Sequence, residues 1–134
     1  MDSSSINIGG AAMTSGVSAK MIRHYEAIGL IPKPVRTFSG YRTYSDSDIH
    51  ILRFIKQARK LGFSMKQIAV LLSLWQNRER PSREVKTVAL QHIHELDEKI
   101  IEMQAMKGTL ERLVKHCHGD DRPDCPILDG LAAP

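Results

Sequence analysis

The sequence predicts a mainly α-helical chain: short helices and one small β-hairpin first, then a single helix too long to bury its own apolar face. Three observations predict it. Aromatic residues make up only 5% of the 134 residues against 42% hydrophobic overall, so the core must be Leu, Ile, Val, Met and Ala, a composition that leans helical. Apolar residues recur at helical spacing in four segments bounded by Ser, Gly or Pro. The last of these, Val85 to Leu113, places nine apolar residues across 28 positions, a mean step of 3.5, which is the period of a left-handed coiled coil.

The elements follow in order. Asn7 to Thr14 reads as a short helix weakened by Gly9 and Gly10, and Ser15-Gly16 makes a turn. Ser18 caps a second helix from Ala19 to Ile28, whose apolar side is Met21, Ile22, Tyr25 and Ile28, and Gly29 ends it in a left-handed conformation. Two short helices about a tight turn have a helix-turn-helix shape. Pro32 and Pro34 break the pattern, and Val35–Phe38, Ser39-Gly40 and Tyr41–Tyr44 read as a hairpin. Ser45 or Asp46 caps a helix to Lys60 with Ile49, Leu52, Ile55 and Ala58 every third residue, Leu61 continuing the series and Gly62 closing it. Ser64 caps another, to Asn77, with Ile68, Leu71, Leu72 and Trp75 on one face.

Pro81 stands where a helix start tolerates proline. The long segment behind it carries Val85, Ala89, Ile93, Leu96, Ile100, Met103, Met106, Leu110 and Leu113 on one stripe and Glu95, Asp97, Glu98, Lys99, Glu102 and Lys107 outside it. Such a stripe needs a partner helix, most simply its own copy, parallel or antiparallel. Met103 and Met106 fall on it, so packing is favoured over a thioether metal site; His50, His92 and His94 read as helix-surface residues. The sequence offers no reason for Gly108. Cys117 to Cys125 is a loop by composition, and Pro126 opens a short apolar turn with Ile127, Leu128 and Leu131.

Charge divides the chain. Residues 1–80 hold 12 Lys/Arg against 5 Asp/Glu, and residues 81–134 hold 7 against 10. A basic first part fits a surface that faces phosphates. No run of apolar residues is long enough to span a membrane, the first residues lack the apolar stretch of a secretory signal, and two cysteines are too few for a disulfide scaffold, so a cytoplasmic setting is expected. No triad, paired carboxylates or phosphate loop is present, and an enzyme is not expected.

Two constellations carry chemistry. Lys20, Arg23, Arg36, Arg42 and Arg59 are spaced so that a helix in a groove and a flanking hairpin could both meet phosphates, with Tyr25, Tyr41 and Tyr44 as further donors; a solvated basic face with half-buried tyrosines is the alternative. The second is Cys117-x7-Cys125. Two soft thiolates suit a two-coordinate Cu(I), Ag(I) or Au(I), whereas structural zinc wants four ligands. A disulfide, a pair of inert thiols, or a zinc site completed by His116, His118 and Asp120 or Asp121 are alternatives at this point.

The strings Ser18-Ala-Lys20-Met-Ile-Arg23-His-Tyr25-Glu26-Ala-Ile-Gly29-Leu30-Ile31 and Ser39-Gly40-Tyr41-Arg42-Thr43-Tyr44 closely resemble the mercury-resistance regulator (MerR) family, and the resemblance runs from about Asn7 to Ile127. It implies a winged helix-turn-helix DNA-binding region over residues 1–80, an antiparallel coiled-coil dimerisation helix over 81–116, and a metal-binding loop and tail over 117–134. It also implies a homodimer on double-stranded promoter DNA, working with RNA polymerase. Ser18, Lys20, Arg23 and Tyr25 then belong to the recognition helix and its cap, Arg36, Tyr41 and Arg42 to the first wing, and Arg59 to the second.

Cys117-His-Gly-Asp-Asp-Arg-Pro-Asp-Cys125-Pro126-Ile127 resembles the metal loop of the copper-efflux branch. Ser82 stands where divalent-ion branches carry a third cysteine, which implies selectivity for monovalent ions. The expectation is a Cu(I)-responsive activator of copper-resistance or efflux genes, with Ag(I) or Au(I) as further effectors. A Zn(II)-responsive regulator and a copper-buffering module without specific DNA binding are the rivals.

Overall fold

The computed structural model describes residues 6–134 and divides into two compact units, Met1–Val85 and Lys86–Pro134. In the first, α1 (Ile8–Ser15), α2 (Ala19–Ala27), β1 (Val35–Arg36), β2 (Arg42–Thr43), α3 (Asp46–Lys60) and α4 (Met65–Gln76) follow one another.

Side-chain caps set the starts of these helices. Asn7 stands outside α1 rather than in it, its side chain accepting from the Gly10 amide at 2.8 Å. Ser18, Ser45 and Ser64 each accept from the amide three residues on, and Ser45 with Asp48 and Ser64 with Gln67 complete reciprocal capping boxes. Each such cap contributes about 1 kcal/mol. At Gly16 the backbone is left-handed (φ 77°), which favours glycine; a Cβ there would also have to push aside the flexible end of Lys56.

The core is one cluster. Ile22, Tyr44, Leu52, Ile55 and Ile68 are fully buried, with Ala11, Val17, Tyr25, Ile31, Ile49 and Leu72 around them. α1 packs on α2 and α3, and α3 on α4, while Arg53 ties α3 to the Thr14 carbonyl. Three residues expected on apolar faces are instead exposed. Ile28 and Leu61 follow the last helical residues of α2 and α3, where Gly29 and Gly62 turn the chain away, so the helical period no longer places them inward. Trp75 is 43% exposed and satisfies one face by stacking on Phe54, with ring centres 4.7 Å apart.

The hairpin is shorter than the alternation predicts. Only Val35 pairs with Thr43 and Arg36 with Arg42, because Thr37 bonds back to the Tyr41 carbonyl and Gly40 (φ 86°) closes the turn. Tyr44 then pairs with Ile6 through two backbone bonds of 3.0 and 2.7 Å, a link the sequence did not disclose.

The chain continues as α5 (Ser82–His116), 35 unbroken residues spanning roughly 52 Å at ~1.5 Å each, and ends in α6 (Pro126–Ala132). Gly108 does not interrupt α5. Ile93, Ile100, Met103, Met106 and Leu110 are each at least half exposed. His92, expected on the surface, is 4% exposed: Val85, Val88, Ala89, His92, Glu95 and Leu96 form a three-and-four spaced face, and His92 lies at its centre. The apolar turn after Pro126 is a seven-residue helix, and it lies close enough to α5 that a Cβ on Gly130 would fall 2.6 Å from Leu113. Among the described residues no helix is long and apolar enough to cross a membrane.

Candidate functional site

α2 presents two faces. Ile22, Tyr25 and Glu26 point inward, which sends Lys20 and Arg23, three residues apart, to solvent on the same side. The Ser18 hydroxyl is occupied in capping, accepting from the Met21 amide at 3.2 Å. Tyr25 is buried, and its hydroxyl accepts a bond of 3.2 Å from Nη1 of the exposed Arg59, so the ring belongs to the core and only its tip meets a basic side chain.

On the hairpin, Arg36 and Tyr41 are exposed and Arg42 is half-buried. Arg36 Nη1 donates to the Gly40 carbonyl at 2.8 Å and Thr43 Oγ1 to the Val35 carbonyl at 2.6 Å, which stiffens a ladder of only two pairs. Between α2 and the hairpin lies a cleft of about 360 Å³ that gathers Arg23, Lys33, Arg36 and Arg42 around one carboxylate, Glu26. Helix and hairpin thus converge on a single basic concavity, the arrangement that suits a phosphate chain.

Inside that cleft is a network that spacing did not reveal. Glu26 is 9% exposed; one of its oxygens accepts from the Tyr44 hydroxyl and the other lies 3.1 Å from Arg42 Nε. Burial, then the hydrogen bond to Glu26, push the Tyr44 phenol well above its ordinary value. Tyr44, expected as a donor to DNA, is therefore an internal donor to Glu26 and is withdrawn from the candidate interface. Lys33 and Glu26 are the cleft residues that sequence reasoning passed over. Lys33 sits between two prolines, which fix it beside the hairpin, and that was the available signal.

The two cysteines lie at either end of the loop joining α5 to α6. Cys117 follows the last residue of α5, its amide bonded to the Val114 carbonyl at 3.1 Å, and Cys125 occupies the N-cap position of α6. Both thiols are free and half-buried, and Cys125 makes no side-chain capping bond that would occupy its sulfur. Asp120 is engaged within the loop, bonding the Arg122 amide at 3.0 Å and pairing with its Nε at 2.9 Å. Among the described residues, no group of three or more His, Cys, Asp and Glu comes together as a metal cage. The sulfurs of Cys117 and Cys125 are soft donors, and two of them alone would suit a low-coordinate monovalent ion. Ser82 is exposed at the first position of α5.

Residues 6–75 match the family described as MerR HTH family regulatory protein, and residues 49–113 that described as MerR, DNA binding. Heavy metal-dependent transcription regulator 2 of Rhizobium meliloti is 60% identical over 127 residues, 95% of this chain and 86% of that protein. The HTH-type transcriptional regulator CueR of Salmonella typhimurium is 38% identical over 95% of this chain and 92% of its own length. Among solved structures, the transcription regulator PbrR691 from Ralstonia metallidurans, in complex with lead(II), superposes with a TM-score of 0.81 at 28% identity, covering 95% of this chain and 99% of that one. With its basic cleft between helix and wing, a family match over half its length and relatives this similar over nearly all of it, the chain belongs to the MerR family of helix-turn-helix regulatory proteins.

Proposed function

We propose that the chain is a metal-responsive transcription regulator that binds promoter DNA as a homodimer and activates copper-resistance or efflux genes when Cu(I), Ag(I) or Au(I) is held by Cys117 and Cys125. The observation that carries the choice of metal is the donor set: both cysteines of the chain flank one loop, free, half-buried and without a third sulfur. Two thiolates and a monocation leave one net negative charge, whereas a dication would demand further ligands. Ser82 offers a hydroxyl where a third thiolate would widen the site to divalent ions.

On this reading the parts divide the work. Lys20 and Arg23 enter the major groove from α2, Arg36, Tyr41 and Arg42 hold the backbone from the wing, Arg59 supplies a flanking contact from the end of α3, and Tyr25 and Ser18 fix the recognition helix that carries them. The exposed stripe of α5 pairs with its copy in an antiparallel coiled coil. Closure of the loop between the two cysteines moves α6, whose Ile127, Leu128 and Leu131 repack, and the dimer shifts toward the conformation in which RNA polymerase can use the promoter. Such a shift requires the ion to bind one dimer conformation more tightly than the other.

Cys117→Ser and Cys125→Ser, made separately, test this. Each should retain promoter binding in a gel shift and lose copper-dependent transcription, and X-ray absorption of the copper-loaded wild type should show two short sulfur scatterers alone. Full induction by either variant, or equal retention of Zn(II) and Cu(I) in equilibrium competition, would overturn the assignment.

A further inference from the structure

We infer that Glu26 is a positioning residue for DNA: it acts through Arg42 to hold one guanidinium ready for a backbone phosphate in the cleft between α2 and the wing. The inference rests on the DNA-binding reading above. A carboxylate among Arg23, Lys33, Arg36 and Arg42 opposes a phosphate by simple charge, and burying it to 9% exposure costs solvation, so its presence needs another reason. Its contacts supply one. Tyr44 is anchored in the core and donates to one oxygen of Glu26, and the other oxygen forms an ion pair with Arg42 at Nε, 3.1 Å away, charge against charge and not an aligned hydrogen bond. Engagement at Nε leaves the Nη1/Nη2 fork, the edge that takes a phosphate with two parallel bonds. The Arg42 side chain is only 31% exposed, whereas Arg36 and Lys33 on the same cleft fall in the exposed class. A side chain already held in place loses less freedom when it binds. The order of support is therefore core, Tyr44, Glu26, Arg42, phosphate.

The sign of one substitution separates positioning from charge. Glu26→Gln removes a negative charge from a basic cleft and keeps the shape and an acceptor for Tyr44, so charge alone predicts tighter DNA binding. Positioning predicts a dissociation constant about tenfold higher for a random-sequence duplex, with the metal-free full chain. It also predicts a log Kd against log salt slope shallower by about 0.9, one phosphate contact. Arg42→Met should give the same two changes, and Glu26→Gln added to Arg42→Met should cost nothing more.

Equal or tighter binding by Glu26→Gln overturns the proposal, as does a further loss in the Arg42→Met background, which would mark a purely structural role. Should Glu26→Gln lose its helical circular dichroism, Tyr44→Phe carries the same cycle, and additivity with Arg42→Met is again the overturning result. No salt-dependent binding by the wild type would sink the DNA-binding reading itself; unaltered binding by the variants sinks this proposal alone.

Discussion

The region up to Val85 gathers a buried apolar core, whereas most of the large apolar side chains from Lys86 onward are at least half exposed. Among the described residues, every buried apolar one falls between Ala11 and Leu72, while Ile93, Ile100, Met103, Met106, Leu110 and Val114 of α5 are at least half exposed. Both stretches carry comparable helical patterning, so pattern alone does not decide whether a face is covered. The decisive factor is length. Helices of 8 to 15 residues joined by short turns fold back on each other, but a 35-residue helix outruns any neighbour its own chain provides. The first region is therefore stabilised within the chain, and on the proposed reading the second is completed by association with its copy.

That contrast breaks most visibly under paired substitutions. Ile100→Asp with Leu110→Asp should convert a dimer to a monomer in analytical ultracentrifugation and abolish promoter binding, leaving the helical content of the first unit in place. Full burial of each such side chain is worth about 1.5–3 kcal/mol, counted twice in a symmetric pair. Leu52→Ala, by contrast, should cost about 2–5 kcal/mol in urea unfolding with the wild type's dependence on protein concentration. A variant pair that stays dimeric would show that the stripe is not the interface.

A smaller effect sharpens the account of the first unit. Tyr44→Phe leaves a buried Glu26 oxygen without its donor and should cost about 1–3 kcal/mol. The sign with pH follows from burial and from Glu26, both of which raise the folded-state pKa of Tyr44 above its ordinary 10.0. A raised pKa gives a stabilisation that is complete below the ordinary value and drains as pH climbs above it, when the unfolded phenol ionises first. Wild type and Tyr44→Phe should differ in urea midpoint at pH about 8, and the gap should narrow progressively as pH rises above about 10. A gap that stays constant over that range would overturn the pH linkage, and no gap at pH about 8 would mean that the hydroxyl contributes nothing.

The same division explains what could be read in advance. Ser45, Ser64 and Gly62 act within a few residues of themselves, and their roles in starting and ending helices were legible from neighbours alone, although Asp48 and Gln67, which complete the capping boxes, were not read. So was the 3.5-residue stripe. Tyr44 with Glu26 was not, because 18 residues separate them and a tyrosine between two basic hairpin arms looks the same on paper whether it faces DNA or the core. His92 failed for a related reason: the stripe was traced through Ile93 by hydrophobicity, whereas the buried face follows the 85, 88/89, 92, 95/96 spacing. Of the loop between the two cysteines, the sulfurs and their spacing were plain, and the helix behind Pro126 was not, since Gly130 in a seven-residue segment argues against a helix until Leu113 is seen to need the space.

The smallest predicted effect concerns Gly108, the residue in α5 that the sequence could not justify. Its φ is not left-handed, and a Cβ there would meet nothing nearer than Arg112 Nη1 at 3.7 Å, an ordinary contact. Nothing in its own chain therefore requires glycine, and Gly108→Ala should stabilise α5 by about 0.5–1 kcal/mol through helix propensity. If α5 were self-sufficient like α3, the melting temperature would rise and the dimer would be indifferent. If the second region is completed by its partner, a glycine at this point is where another backbone can pass closely, and the added methyl would weaken the dimer while raising the helicity of the dissociated chain. Measuring helicity and dimer dissociation on the same variant separates the two, and opposite signs would show that α5 is shaped by a surface its own chain does not contain.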